Sequence, residues 1–193
     1  TAFGIERFDA ALDSSSLGDR DASTTSAFLQ QRLFAGTGTA DIGLRTDRHS
    51  DWGTEVSPSL SMAVPLGDAY TWRASAARGI RPPSFTELYY EDPRNTGNPD
   101  LDPEEAWGGE TGLDVRLPGG AEAAVTYFVR DTRSLIDWVR DTPDAPWRAV
   151  NVGEATFQGG EVRVAGTGEV FRWETAYRYT TVDAGNGGRE SKY

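Results

Sequence analysis

The sequence predicts an all-β protein, an antiparallel meander of about nine long strands that forms part of a transmembrane β-barrel. Three observations predict it. Polarity alternates with a period of two through nearly every segment, the alternating segments are mostly about ten residues long, and tight turns alternate strictly with long polar connections. Soluble sheets favour strands of about five or six residues. Barrels of the outer-membrane type combine long strands with short turns at one end and longer loops at the other.

The strands are expected near 3–12, 23–35, 38–47, 53–64, 69–78, 107–117, 121–131, 154–164 and 169–182. The first two are set off by the polar stretch Asp13 to Ala22 and by the Gly36-Thr37 turn. In the third, Ala40, Ile42 and Leu44 oppose Asp41, Gly43 and Arg45. In the fourth, Val56, Pro58, Leu60, Met62 and Val64 oppose Glu55, Ser57, Ser59 and Ser61. Pro65-Leu66-Gly67-Asp68 turns the chain into the fifth, where Tyr70, Trp72, Ala74 and Ala76 oppose Thr71, Arg73 and Ser75. Trp107, Leu113, Val115 and Leu117 oppose Glu110, Asp114 and Arg116 in the sixth, which ends at Pro118-Gly119-Gly120. The seventh sets Ala123, Val125, Tyr127 and Val129 against Glu122, Thr126 and Arg130. Gly166-Thr167-Gly168 joins the last two, and in the ninth Phe171, Trp173, Tyr177 and Tyr179 oppose Arg172, Glu174 and Arg178. The long connections fall at 13–22, 48–52, 79–106 and 132–153, all at the opposite end from the tight turns. No helical stripe with caps is expected.

Periodicity does not distinguish lipid from protein as the partner of the apolar face. A soluble β-sandwich, a carbohydrate-binding module, is the alternative. Strand length and the aromatic residues near strand ends, Tyr70, Trp72, Trp107, Phe171 and Trp173, favour lipid.

Composition removes other classes. The 193 residues contain no cysteine, which excludes disulfide scaffolds, thiol catalysis and zinc-thiolate sites. A formal net charge of -11 disfavours nucleic acid as a partner, since phosphate binding needs a basic surface. The 37% hydrophobic content holds no run long enough for a spanning helix, which does not bear on a barrel whose strands alternate lipid-facing and polar residues. The single histidine, His49, sits between Asp47 and Asp51, but Arg48 intrudes and hard-cation loops provide more oxygen ligands, so no metal or cofactor is expected. His49 with Ser50 or Ser84 is the only route to a serine hydrolase, and without a G-x-S-x-G elbow no catalytic residue is assigned and the protein is expected not to be an enzyme.

Four ordered blocks carry a more specific signal. Arg81-Pro82-Pro83-Ser84-Phe85-Thr86-Glu87-Leu88-Tyr89, followed by Gly97-Asn98-Pro99-Asp100-Leu101-Asp102-Pro103-Glu104, resembles the "R-x-P-x-F-x-E-L-Y" and "G-N-P-x-L-x-P-E" signature of TonB-dependent outer-membrane receptors. Arg45 to Gly53 is similar to that family's "R-x-D-x-x-S-x-F-G" strand and loop, and Tyr127 to Trp138 to its "Y-x-x-x-x-x-D-L-I" strand. Asn151 to Glu161 matches "N-x-G-x-A-x-x-x-G-x-E". The order of the blocks is nearest the cobalamin-receptor branch, and siderophore receptors share most of them.

The resemblance implies a barrel of about 22 strands in the outer membrane of a Gram-negative bacterium. An amino-terminal plug domain closes it, and it imports a scarce nutrient, an iron-siderophore or cobalamin, with energy delivered by TonB. Residues 1–193 are then expected to be a partial barrel, with neither the plug through which TonB acts nor the closing carboxy-terminal strands; the chain ends at Arg189-Glu190-Ser191-Lys192-Tyr193. Outer-membrane lipid and the small-molecule ligand are the implied partners. The candidate ligand contacts are Arg81, Glu87, Tyr89, Tyr90, Asp92 and Arg94 in the longest loop, and Trp138 and Trp147 in the mixed-charge loop that follows. Aromatic faces and charge-assisted hydrogen bonds suit a conjugated or polar nutrient. A structural role at the base of the loop is the competing reading for the Pro82-Pro83 and Pro99 to Pro103 segments.

Overall fold

Residues 1–168, 170–184 and 190–191 are described by the computed structural model. Glu169, where the ninth strand was expected to begin, and Arg189, Lys192 and Tyr193 lie outside them. Nine long strands make one antiparallel sheet in which sequence neighbours are spatial neighbours. They are β1 (Ala2–Leu12), β2 (Arg20–Ala35), β3 (Gly38–His49), β4 (Gly53–Pro65), β5 (Tyr70–Arg81), β8 (Glu104–Arg116), β9 (Glu122–Arg133), β12 (Ala155–Thr167) and β13 (Arg172–Ala184). The long connections hold one short helix, α1 (Phe85–Tyr89), and four short strands: β6 (Glu91–Asp92), β7 (Asn95–Thr96), β10 (Ile136–Arg140) and β11 (Trp147–Asn151). A last pair of residues, β14 (Glu190–Ser191), adds to β10, so a second sheet runs β14-β10-β11-β7-β6.

The expected meander is present, and its order follows from the turns. Residues 36–37, 66–69 and 117–121 reverse the chain at one end, where the Gly168 N–H also donates to the Phe171 carbonyl between β12 and β13. Gly36 and Gly67 take φ of 61° and 80°, the left-handed region that a tight hairpin turn needs and that a side chain disfavours. The other connections, 13–19, 50–52, 82–103 and 134–154, all lie at the opposite end. There the strands run further than the alternation alone suggested, because Arg81 pairs directly with Glu104 and extends the β5–β8 ladder by several residues.

Register converts the two-beat pattern into two chemically distinct faces. Val64, Trp72, Leu113, Val125, Val162 and Tyr177 form a single row across six strands. The adjacent row on the opposite face reads Ala63, Arg73, Gly112, Thr126, Glu161 and Arg178. Arginines and carboxylates pair along this second face: Arg32 with Asp41 at 2.8 Å, Arg73 with Asp114 at 2.6 Å, Arg45 with Asp47 at 2.9 Å and Arg163 with Glu174 at 3.3 Å. At least one partner of each pair is substantially exposed, so each stabilises little, and together they mark a polar surface rather than a core.

Among the described residues, no protein layer covers the apolar face. Leu60 is 38% exposed, Val125 54% and Tyr177 71%. A β-sandwich buries those side chains against a second sheet, so the alternative of a soluble module is set aside. The compact hydrophobic cluster lies elsewhere, between the two longest connections: Leu88, Leu101, Trp138 and Ala149, with Ile136 and Trp147 packed around them.

One irregularity shapes the loop end. β4 and β5 pair only from Pro65–Thr71 to Ser59–Ala77, although both strands continue beyond. Pro58 has no N–H to lengthen the ladder. The Arg78 guanidinium fills the gap, donating to the Val56 carbonyl at 2.6 Å and contacting Glu55 at 2.7 Å and Glu105 at 3.1 Å.

Candidate ligand-binding loops

The 82–103 connection begins with Pro82-Pro83, which hold the chain extended, and then forms α1. Ser84 caps this helix by accepting from the Glu87 N–H at 3.3 Å, while the Glu87 carboxylate accepts from the Ser84 N–H at 2.7 Å. That reciprocal capping box makes one helical turn form after a double proline. Its signal, Ser84-x-x-Glu87, was present in the sequence, and the expectation that no capped helix occurs is corrected here. Gly97 then passes against the helix: a Cβ at this position would lie 2.9 Å from the Leu88 carbonyl carbon. Only glycine lets the two segments meet at that distance.

The 134–154 connection is a hairpin rather than an irregular charged loop. β10 and β11 pair from Ile136–Asn151 to Val139–Arg148. Alternation turns Trp138 inward, 9% exposed, onto Leu88 and Leu101 of the other connection. Edge pairing completes the join. Asn95 and Thr96 of β7 run parallel to Trp147 and Arg148 of β11, and the Trp147 N–H donates to the Arg94 carbonyl at 2.7 Å.

All eight candidate residues therefore fall in one lobe, in different settings. Arg81 and Glu87 face each other, with both guanidinium Nη atoms 3.1 Å from the carboxylate oxygens. Burial opposes ionisation of Glu87, but hydrogen bonds from Arg81 and Ser84 outweigh it and hold the carboxyl below the usual glutamate value. Tyr89 lies under the Arg20 guanidinium, 4.0 Å from the ring centroid. The Tyr90 hydroxyl donates to Asp92 at 3.0 Å, and that hydrogen bond raises its pKa. Asp92 accepts from the Arg94 and Asn95 N–H groups, both at 2.7 Å, and is held below the ordinary aspartate value by them. Arg94 is exposed, Trp138 is buried, and Trp147 is half-buried beneath the Arg140 guanidinium at 4.5 Å.

Two hollows open around this lobe. A cleft of about 470 Å³ lies between the 50–52 connection and the longer loop, walled by Trp52, Tyr89, Pro99, Pro103 and Asp102. His49 stacks on Trp52 with 3.8 Å between ring centroids, and its neighbour Asp47 is turned to Arg45 and Ser26. A second hollow, about 340 Å³, lies between Pro93, Arg94, Arg140, Pro146 and Trp147. Two residues that organise the lobe, Glu104 and Asn151, were quoted in the sequence blocks without being assigned to the site.

The family model for TonB-dependent receptor-like β-barrels matches residues 2–193. The chain belongs to that family. Among TonB-dependent receptors of known structure, the siderophore receptor PirA of Pseudomonas aeruginosa superposes with a TM-score of 0.81 and 26% identity, over 93% of this chain and 36% of that one. The vitamin B12 transporter of Vibrio vulnificus YJ016 is 27% identical over 124 residues, 64% of this chain and 20% of the transporter. The ferric enterobactin receptor of P. aeruginosa PAO1 is 32% identical over 114 residues, 49% of this chain and 15% of that receptor. This chain thus spans about a fifth or less of the length of these curated relatives, and both cobalamin and siderophore receptors of the TonB-dependent family resemble it.

Proposed function

We propose that this chain is the portion of an outer-membrane, TonB-dependent receptor that contributes external ligand-binding loops, in a protein that imports cobalamin or an iron-siderophore. The observation that carries the reading is the clustering of the two longest connections into one aromatic and charged lobe at the end opposite the tight turns. The apolar face meets lipid. The ion-paired face lines the barrel interior, where the plug of the complete receptor sits and through which TonB acts.

Tyr89, Tyr90, Arg94 and Trp147 carry the ligand contacts, around the two hollows. Aromatic faces and a guanidinium suit either ligand class, since a corrin ring or a catecholate presents a conjugated surface with polar edges. Arg81 and Glu87 are engaged with each other, and Trp138 supports the lobe from inside. The test is equilibrium binding of the complete receptor to a panel of cobalamin and ferric siderophores. Saturable binding of one class is expected, and no binding of either rejects the reading.

A further inference from the structure

We propose that Arg81 is a positioning residue which, through Glu87 and Glu104, locks the two longest external connections together and so fixes where Tyr89, Tyr90 and Trp147 are presented. Its bearing on uptake rests on the ligand-binding reading of these loops; its geometry does not.

Arg81 closes β5 and Glu104 opens β8, directly opposite in register. The guanidinium addresses Glu104 with a fork: Nε donates to Oε2 at 2.8 Å and Nη2 to Oε1 at 2.6 Å. The same guanidinium reaches both oxygens of Glu87. Two carboxylates so placed repel one another unless a cation is shared between them, and a planar guanidinium satisfies both at once where an ammonium does not. Each carboxylate then holds a different connection. Glu87 caps α1 of the 82–103 segment, and its main-chain carbonyl accepts from the Asn98 N–H at 2.9 Å. Glu104 accepts from the N–H of Ile136, the first residue of β10, at 2.8 Å.

One cation at a strand end therefore sets the position of a helix in one connection and the start of a hairpin in the next. Asn151 reinforces the join. Its Nδ2 donates to the carbonyls of Asp102 at 3.0 Å and Ser134 at 2.7 Å, while its Oδ1 accepts from the Asp102 N–H at 3.0 Å. Glu104 is 8% exposed, so removing Arg81 leaves a nearly buried carboxylate facing Glu87 without a counter-charge. Both connections then loosen, because each is held by one of the two carboxylates and both carboxylates lose the cation they share.

The opposing account is that each contact braces only its own loop. Amide hydrogen exchange on the complete receptor separates the two, because it reads each loop without any ligand. Arg81→Gln is expected to speed exchange by roughly tenfold or more in peptides covering both 85–98 and 136–151, with 38–65 unchanged as the report of an intact barrel. Glu104→Gln should loosen the same two segments, and combining it with Arg81→Gln should add little, because both remove one shared interaction. Arg81→Lys should recover part of the protection. Acceleration confined to 85–98, additive effects of the two substitutions, or unchanged exchange in both segments overturns the proposal. If Arg81→Gln does not reach the membrane, Glu104→Gln alone decides by the same two-segment criterion. A receptor that binds neither cobalamin nor a siderophore still gives this answer.

Discussion

Glu87 concentrates several jobs in one side chain. It caps α1, accepts from the Ser84 hydroxyl at 2.9 Å and answers the charge of Arg81. Burial works against its ionisation, and these partners more than compensate, so its folded pKa lies below the unfolded value of about 4.3. A depressed carboxyl contributes stability that is complete above the unfolded pKa and disappears as pH falls through the lower folded value. The 82–103 connection of the complete receptor should keep its resistance to limited proteolysis from neutral pH down to about pH 5 and lose it progressively as the medium is acidified further. Equal resistance at pH 7 and pH 3 would count against this account of Glu87.

At the scale of the element, apolar and polar residues alternate along most of the long strands, and on the proposed reading the apolar set faces lipid. Leu60 lies midway along β4, and Val125 stands in the same face on β9. Spin labels at these two positions should be reached by a lipid-soluble quencher in the full-length receptor, whereas labels at Ser61 and Thr126 on the ion-paired face should be shielded from it. Protection of Leu60 and Val125 would reverse the facing assignment. This alternation is also why the strands were legible before any coordinates: a strand with unlike environments on its two sides records both in its sequence, as Val56 to Val64 does. The lobe was less legible. β10 and β11 are five residues each, too short to establish a period, and the burial of Trp138 depends on Leu88 and Leu101, which are distant along the chain. The roles of Glu104 and Asn151 were hidden for the same reason, since each acts on main-chain groups of a separate connection. Only α1 had a local signal, in its capping box.

For the whole molecule, the two faces and the two ends divide the work. Unequal faces suit the sheet to stand, as proposed, as a wall between lipid and an ion-paired interior. Unequal ends place tight turns on one side and the clustered connections on the other. The loop lobe is not a loose fringe on that wall: its own hydrophobic cluster, the parallel β7–β11 pairing and the Arg81 ion pairs give it a defined shape. On the proposed reading, a ligand meets a surface already formed, which limits the ordering cost of binding. TonB-dependent uptake of labelled cobalamin and ferric siderophore by cells carrying the complete receptor, compared with its Tyr89→Ala/Tyr90→Ala variant, tests this most directly. The account predicts uptake of one ligand class and at least about a tenfold weaker apparent affinity in the variant, the loss of roughly 1.4 kcal/mol or more of aromatic contact. Uptake with unchanged affinity in the variant would contradict it.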